Sequence, residues 1–115
     1  MTDSLDELMD IPGVQVAFVF TPDGQYTAYR TRQPVSPQLL ATLAQYCATV
    51  TMTLHTLASN LTALTDHNWL PQDFWVYVGG DVGIVMTQGG FRGVLLDPRT
   101  TDWPRLWRTL GLRPG

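Results

Sequence analysis

From Gln33 to Thr65 the chain carries no Asp, Glu, Lys or Arg, and no other feature restricts its fold as much. A helix start stands at Ser36-Pro37, where Ser can accept from the free amides and Pro at the first helical position gives up nothing. Leu40, Leu43, Cys47, Val50, Leu54, Leu57, Leu61 and Leu64 then recur at alternating spacings of three and four, which predicts a long helix with a heptad-like apolar stripe. The flank opposite is small or neutral: Ala41, Ala44, Ala48, Thr49, Met52, Thr56 and Ser59. A helix lying on a protein surface ordinarily carries charge on its outer side. The segment therefore predicts one side packed on a sheet and much of the other against a second copy, with Val50, Leu54 and Leu57 at that seam. About 25 helical residues would span nearly 40 Å.

The remaining signals are shorter. Ser4 and Glu7 fit a capping box for a first helix carrying Leu5 and Leu8, ended by Pro12-Gly13. Val14 to Phe20 is almost wholly apolar, as expected of a central strand covered on both sides. Thr21-Pro22-Asp23-Gly24 reads as a turn into a more polar strand, Gln25 to Thr31, nearer an edge. Three further strands are predicted at Phe74 to Val78, Val82 to Thr87 and Phe91 to Leu96, joined by Gly79-Gly80-Asp81 and Gln88-Gly89-Gly90. Thr101 or Asp102 can cap a final helix whose apolar face is Trp103, Leu106, Trp107 and Leu110, with Gly111 to end it.

Composition removes several classes of function. Charged residues make up 15% of the 115-residue chain, against about 25% in ordinary domains, which fits either a small polar surface or a surface partly covered by a partner. The net charge is −3 and every basic residue is Arg, so no basic field invites nucleic acid. A length of 115 residues suits one domain spanning 1–115. One cysteine cannot form an internal disulfide, the acidic N-terminus lacks a leader pattern, and Leu39 to Leu64 is too polar for a membrane span. A cytoplasmic protein with no membrane partner is expected.

Reactive constellations are hard to assemble from these residues. Cys47 and His55 share a helix face but stand about 12 Å apart, too far to hold one ion, so no metal is expected. Cys47 inside an apolar stripe is expected to be a packing residue, since thiolate formation is disfavoured there. Asp3, Asp6, Glu7 and Asp10 suit a solvated helix start better than an acid–base pair. Gly79-Gly80 and Gly89-Gly90 join strand to strand, whereas a phosphate loop opens a helix. No catalytic residue and no cofactor are expected. Trp103 and Trp107 are expected in the core, while Trp69 and Trp75, either side of Pro71, are candidates with Tyr77 for a partner or ligand groove.

The order helix, two strands, long helix, three strands, helix resembles the roadblock/dynein-light-chain superfamily, whose bacterial members include the MglB-type regulators of small GTPases. The likeness is carried by Leu5-x-x-Leu8-x-x-Ile11-Pro12-Gly13-Val14 with the apolar strand and Asp23-Gly24 behind it, and by Gly79-Gly80-Asp81 before a later strand. Asn68-Trp69, Pro71, Trp75 and Gly79-Gly80, with Cys47-Ala48, resemble a block found in an uncharacterised prokaryotic branch of that superfamily. The resemblance implies an α/β (α+β) fold, α-β-β-α-β-β-β-α. Its five-stranded antiparallel sheet would carry the long helix on one face and the terminal helices on the other. It also implies a homodimer in which the third strand, Phe74, Trp75, Val76, Tyr77 and Val78, pairs with its mate into one ten-stranded sheet. The expected function is a non-enzymatic homodimeric adaptor or regulator, with a small Ras-like GTPase as a partner. The alternative is a small-molecule-sensing dimer with a pocket near Trp69 and Trp75.

Overall fold

The computed structural model describes residues 4–71, 73–87 and 91–111. Its elements are α1 (Ser4–Met9), β1 (Val14–Phe20), β2 (Tyr26–Thr31), α2 (Pro37–Leu64), β3 (Trp75–Gly79), β4 (Val82–Thr87), β5 (Arg92–Leu96) and α3 (Trp103–Thr109). All strand pairs are antiparallel, in the order β2-β1-β5-β4-β3. The long helix α2 covers one face of this sheet, and α1 and α3 cover the other.

β1 supplies both cores. Val16, Phe18 and Phe20 face α2, packing with Leu40, Ala44, Cys47, Ala48 and Met86. Val14 and Ala17 face the terminal helices with Leu5, Leu8, Ile11, Leu106 and Leu110. Val14 and Val16 would share a face in a regular strand; an irregularity in the β1–β5 register between them sends them to opposite sides. Cover on both faces is why the run is almost wholly apolar, the exposed Gln15 apart, instead of alternating.

Polar side chains settle the element ends. Ser36 accepts from the Leu39 amide at the start of α2. Asp102, not Thr101, caps α3 by accepting from the Arg105 amide, while the Thr101 hydroxyl donates to the Asp97 carbonyl. Arg32, just past β2, donates to the carbonyls of Met9 and Val14, the first of which is an acceptor that α1 leaves open at its C-terminus. Gly13 sits at φ 93°, and a Cβ there would lie within 2.6 Å of the Thr101 amide nitrogen. Only glycine lets the α1–β1 turn approach the α3 cap so closely.

Four strand boundaries differ from the expected ones by a residue: β2 begins at Tyr26, β3 begins at Trp75 and ends at Gly79, and β5 begins at Arg92. Phe74 instead leaves the strand direction and brings its ring to 5.6 Å from that of Trp107, itself 5.4 Å from Trp103. Trp103 and Trp107 are accordingly half-buried at the margin of their core. The side chain expected to cap at Ser4 and the expected Gln88-Gly89-Gly90 turn lie outside the described residues.

Candidate interaction surface

The face of α2 that meets the sheet is Leu40, Ala44, Cys47, Ala48, Thr51 and Ala58. This corrects the reading of the stripe as one seam with Ala44 and Ala48 opposite it. At 100° per residue the sheet-facing line runs through positions 40, 44, 47, 48 and 51. Small residues there bring the helix axis close to the sheet, where Phe18, Phe20 and Met86 fill the volume. The larger members of the stripe are rotated sideways. Leu43, Leu54 and Leu61 are half-buried, whereas Val50, Leu57 (51% exposed) and Leu64 (81%) stand open, joined by Tyr46 (65%).

That apolar flank lies above β3, which is an edge strand: it pairs with β4 and with no other strand among the described residues. Trp75 and Tyr77 point to the α2 side, Val76 and Val78 to the side of the terminal helices, following the two-residue period. Val76, Tyr77 and Val78 are all exposed, Tyr77 at 64%. An open edge so rich in apolar side chains is a ready template for another strand. Val50, Leu57 and Tyr77 thus lie on one strip on the α2 side, while Val78 is exposed on the opposite face of β3, and Phe74 packs its ring on Trp107 and borders the strip at its lower end.

Two hollows indent the strip. One, of about 340 Å³, is lined by Leu43, Tyr46, Cys47, Val50, Trp75 and Tyr77 among others. The other, of about 500 Å³, lies under the end of α2 and includes Leu54, Leu61, Asn68, Trp69, Pro71 and Trp75. Trp69 and Tyr77, expected around one groove, therefore line different hollows, with Trp75 as the shared wall. The Trp75 indole N–H donates to the Thr51 hydroxyl at 2.9 Å, which ties β3 to the helix. The sequence reading missed Tyr46, although it stands four residues before Val50 and eleven before Leu57 and so shares their flank.

The outward face of α2 explains how so many threonines suit an uncharged helix. Thr49, Thr53 and Thr56 donate their hydroxyls to the carbonyls of Gln45, Thr49 and Met52, one turn back. The one proton of each hydroxyl is thereby spent inside the helix. Cys47 is buried, and burial pushes its thiol from an ordinary 9.0 up to about 12. A thiol held protonated at neutral pH is a poor nucleophile. His55 and His67 are exposed, and no group of three metal-ligating side chains occurs among the described residues. No helix among them is long and apolar enough to cross a membrane.

A five-stranded antiparallel sheet carrying one long helix on one face and two terminal helices on the other is the roadblock fold. The chain superposes on the structure of the gliding protein MglB from Thermus thermophilus with a TM-score of 0.72, 19% identity, and coverage of 92% of this chain and 76% of that one. It matches the Roadblock/LC7 domain from Streptomyces avermitilis with a TM-score of 0.72, 12% identity, and coverage of 92% and 83%. A structure described as MglB with tetrameric arrangement gives 0.71, 19% identity, and coverage of 92% and 76%. No curated protein sequence matches the chain. Residues 4–111 match the family described as Uncharacterized conserved protein (DUF2173), and the chain belongs to that family.

Proposed function

We propose that the chain acts as a homodimeric, non-enzymatic adaptor or regulator, in which β3 pairs with β3 of a second copy and the α2 flanks pack across the same axis. The observation that carries this reading is the continuity of an unpaired strand edge with exposed Val50, Leu57, Tyr46 and Tyr77. A two-fold axis beside β3 would place the same patch against itself, as a closed dimer requires. The tetrameric arrangement described for one fold relative supports assembly of several copies. A buried, protonated Cys47 supports a role without covalent chemistry. The roadblock likeness, whose bacterial members include regulators of small GTPases, supports a small Ras-like GTPase as the partner of that dimer.

Sedimentation equilibrium tests the assembly: a dimer is expected at micromolar concentration, and a folded monomer would remove the basis of the reading. A purified small GTPase, loaded in turn with GDP and a non-hydrolysable GTP analogue, tests the partner; equal or absent binding of the two forms would count against it. A second reading, a ligand-sensing module, is favoured by the hollow of about 500 Å³ beside Trp69 and Trp75.

A further inference from the structure

We infer that the hollow under the end of α2 takes a small organic cation of the alkylated-ammonium type, held between Trp69 and Trp75 with Asp73 at its rim. This gives a ligand class to the second reading above and rests on it; all the lining residues belong to one chain, and Leu57 among them is shared with the proposed seam. At about 500 Å³ the space is in the range of small-ligand sites, roughly 300–1,000 Å³.

The chemistry of the walls selects the ligand. Trp69 and Trp75 supply two indoles, the side chain whose face attracts cations most strongly. Asp73 has no ion-pair partner among the described residues, where Asp6 and Asp81 take the arginines Arg30 and Arg99. Among the described residues no arginine or histidine lines the space, and α2 has no charge to repel a cation. Both indole N–H groups are already spent. Trp75 donates to the Thr51 hydroxyl at 2.9 Å and Trp69 to the Thr65 hydroxyl at 3.3 Å. An anion or a carbonyl ligand would therefore find no indole donor. The rings are also held before any ligand arrives, because the Trp69 amide donates to the Thr62 hydroxyl at 2.9 Å and fixes the connector. Preorganisation of this kind removes part of the entropy cost of binding. The apolar remainder, Leu54 and Leu61 among it, suits methyl groups on the cation better than a bare, strongly hydrated ammonium.

The test is a titration of the full chain with choline and with 3,3-dimethyl-1-butanol, its uncharged isostere, followed by tryptophan fluorescence and calorimetry. Saturable binding of choline and much weaker binding of the alcohol are expected. Trp69→Ala should weaken choline binding about fivefold, the factor for one cation–π contact at a half-exposed site. Asp73→Asn should weaken it about threefold, as for an exposed ion pair, and leave the alcohol unaffected. Equal binding of the two probes, or no saturable signal with either, would overturn the inference. A folded monomer that still bound choline would refute the dimer and support this site; a dimer indifferent to choline would do the reverse.

Discussion

Leu57 offers the sharpest test of the proposed seam, because it contributes little to the isolated fold. Its side chain is 51% exposed in one copy. Complete burial of a leucine is worth about 1.5–3 kcal/mol, so covering the exposed half adds roughly 0.8–1.5 kcal/mol. A two-fold interface uses the residue twice, which makes the loss in Leu57→Ala about 1.5–3 kcal/mol per dimer. At about 1.4 kcal/mol per factor of ten, the dissociation constant should rise roughly 10- to 100-fold. Leu57→Asp should go further, since it forces an unpaired carboxylate into an apolar seam from both sides. Sedimentation equilibrium over a concentration series gives the constants, and far-ultraviolet circular dichroism checks that the fold is retained. A Leu57→Ala constant within about threefold of the wild type would refute the placement of the seam, given the effect calculated above.

Other perturbations address the parts that hold this surface in place. Cys47 should resist thiol reagents at pH 8 until denaturant opens the fold, because burial raises its thiol to about 12. The sign follows from that shift: the folded chain keeps the proton that the unfolded chain releases above an ordinary 9.0, so stability is full below that pH and falls as pH rises towards 12. Urea midpoints of wild type and Cys47→Ala, compared across this window, should converge as the wild type loses its advantage; parallel curves would contradict the assignment. Thr51→Val removes the acceptor of the Trp75 indole and should cost about 1–2 kcal/mol, lowering Tm by roughly 4–8 °C or more and altering the near-ultraviolet tryptophan signal. Gly13→Ala combines a positive φ with a collision against Thr101 and should cost about 2–5 kcal/mol; a Tm within a degree or two of wild type would show that the turn has room to spare.

The kinds of element and their order were legible in the sequence because each signal is local. The three-and-four spacing from Leu40 to Leu64 marks a helix, and Ser36-Pro37 and Asp102 mark starts that the structure bears out. Family likeness added the sheet and its covering helices, since fold relatives share an arrangement that no short stretch encodes. Residue-level burial was less legible. Leucine spacing could not say which line of α2 meets the sheet, and the alanines turned out to lie beneath it. Phe74 looked like the first residue of a strand, yet its ring belongs with Trp107.

What the sequence determined alone is that this helix is long and neutral, because charge content and periodicity are properties of a single segment. The tertiary structure decided which of its side chains stay exposed. It packed the alanine line of α2 on Phe18, Phe20 and Met86, left Tyr46, Val50 and Leu57 above β3, and set β3 at the open end of the sheet. It also divided Trp69 from Tyr77 by standing Trp75 between them. Such outcomes depend on strands far apart in sequence competing for neighbours, and on side-chain volumes meeting across a sheet, which no local pattern records.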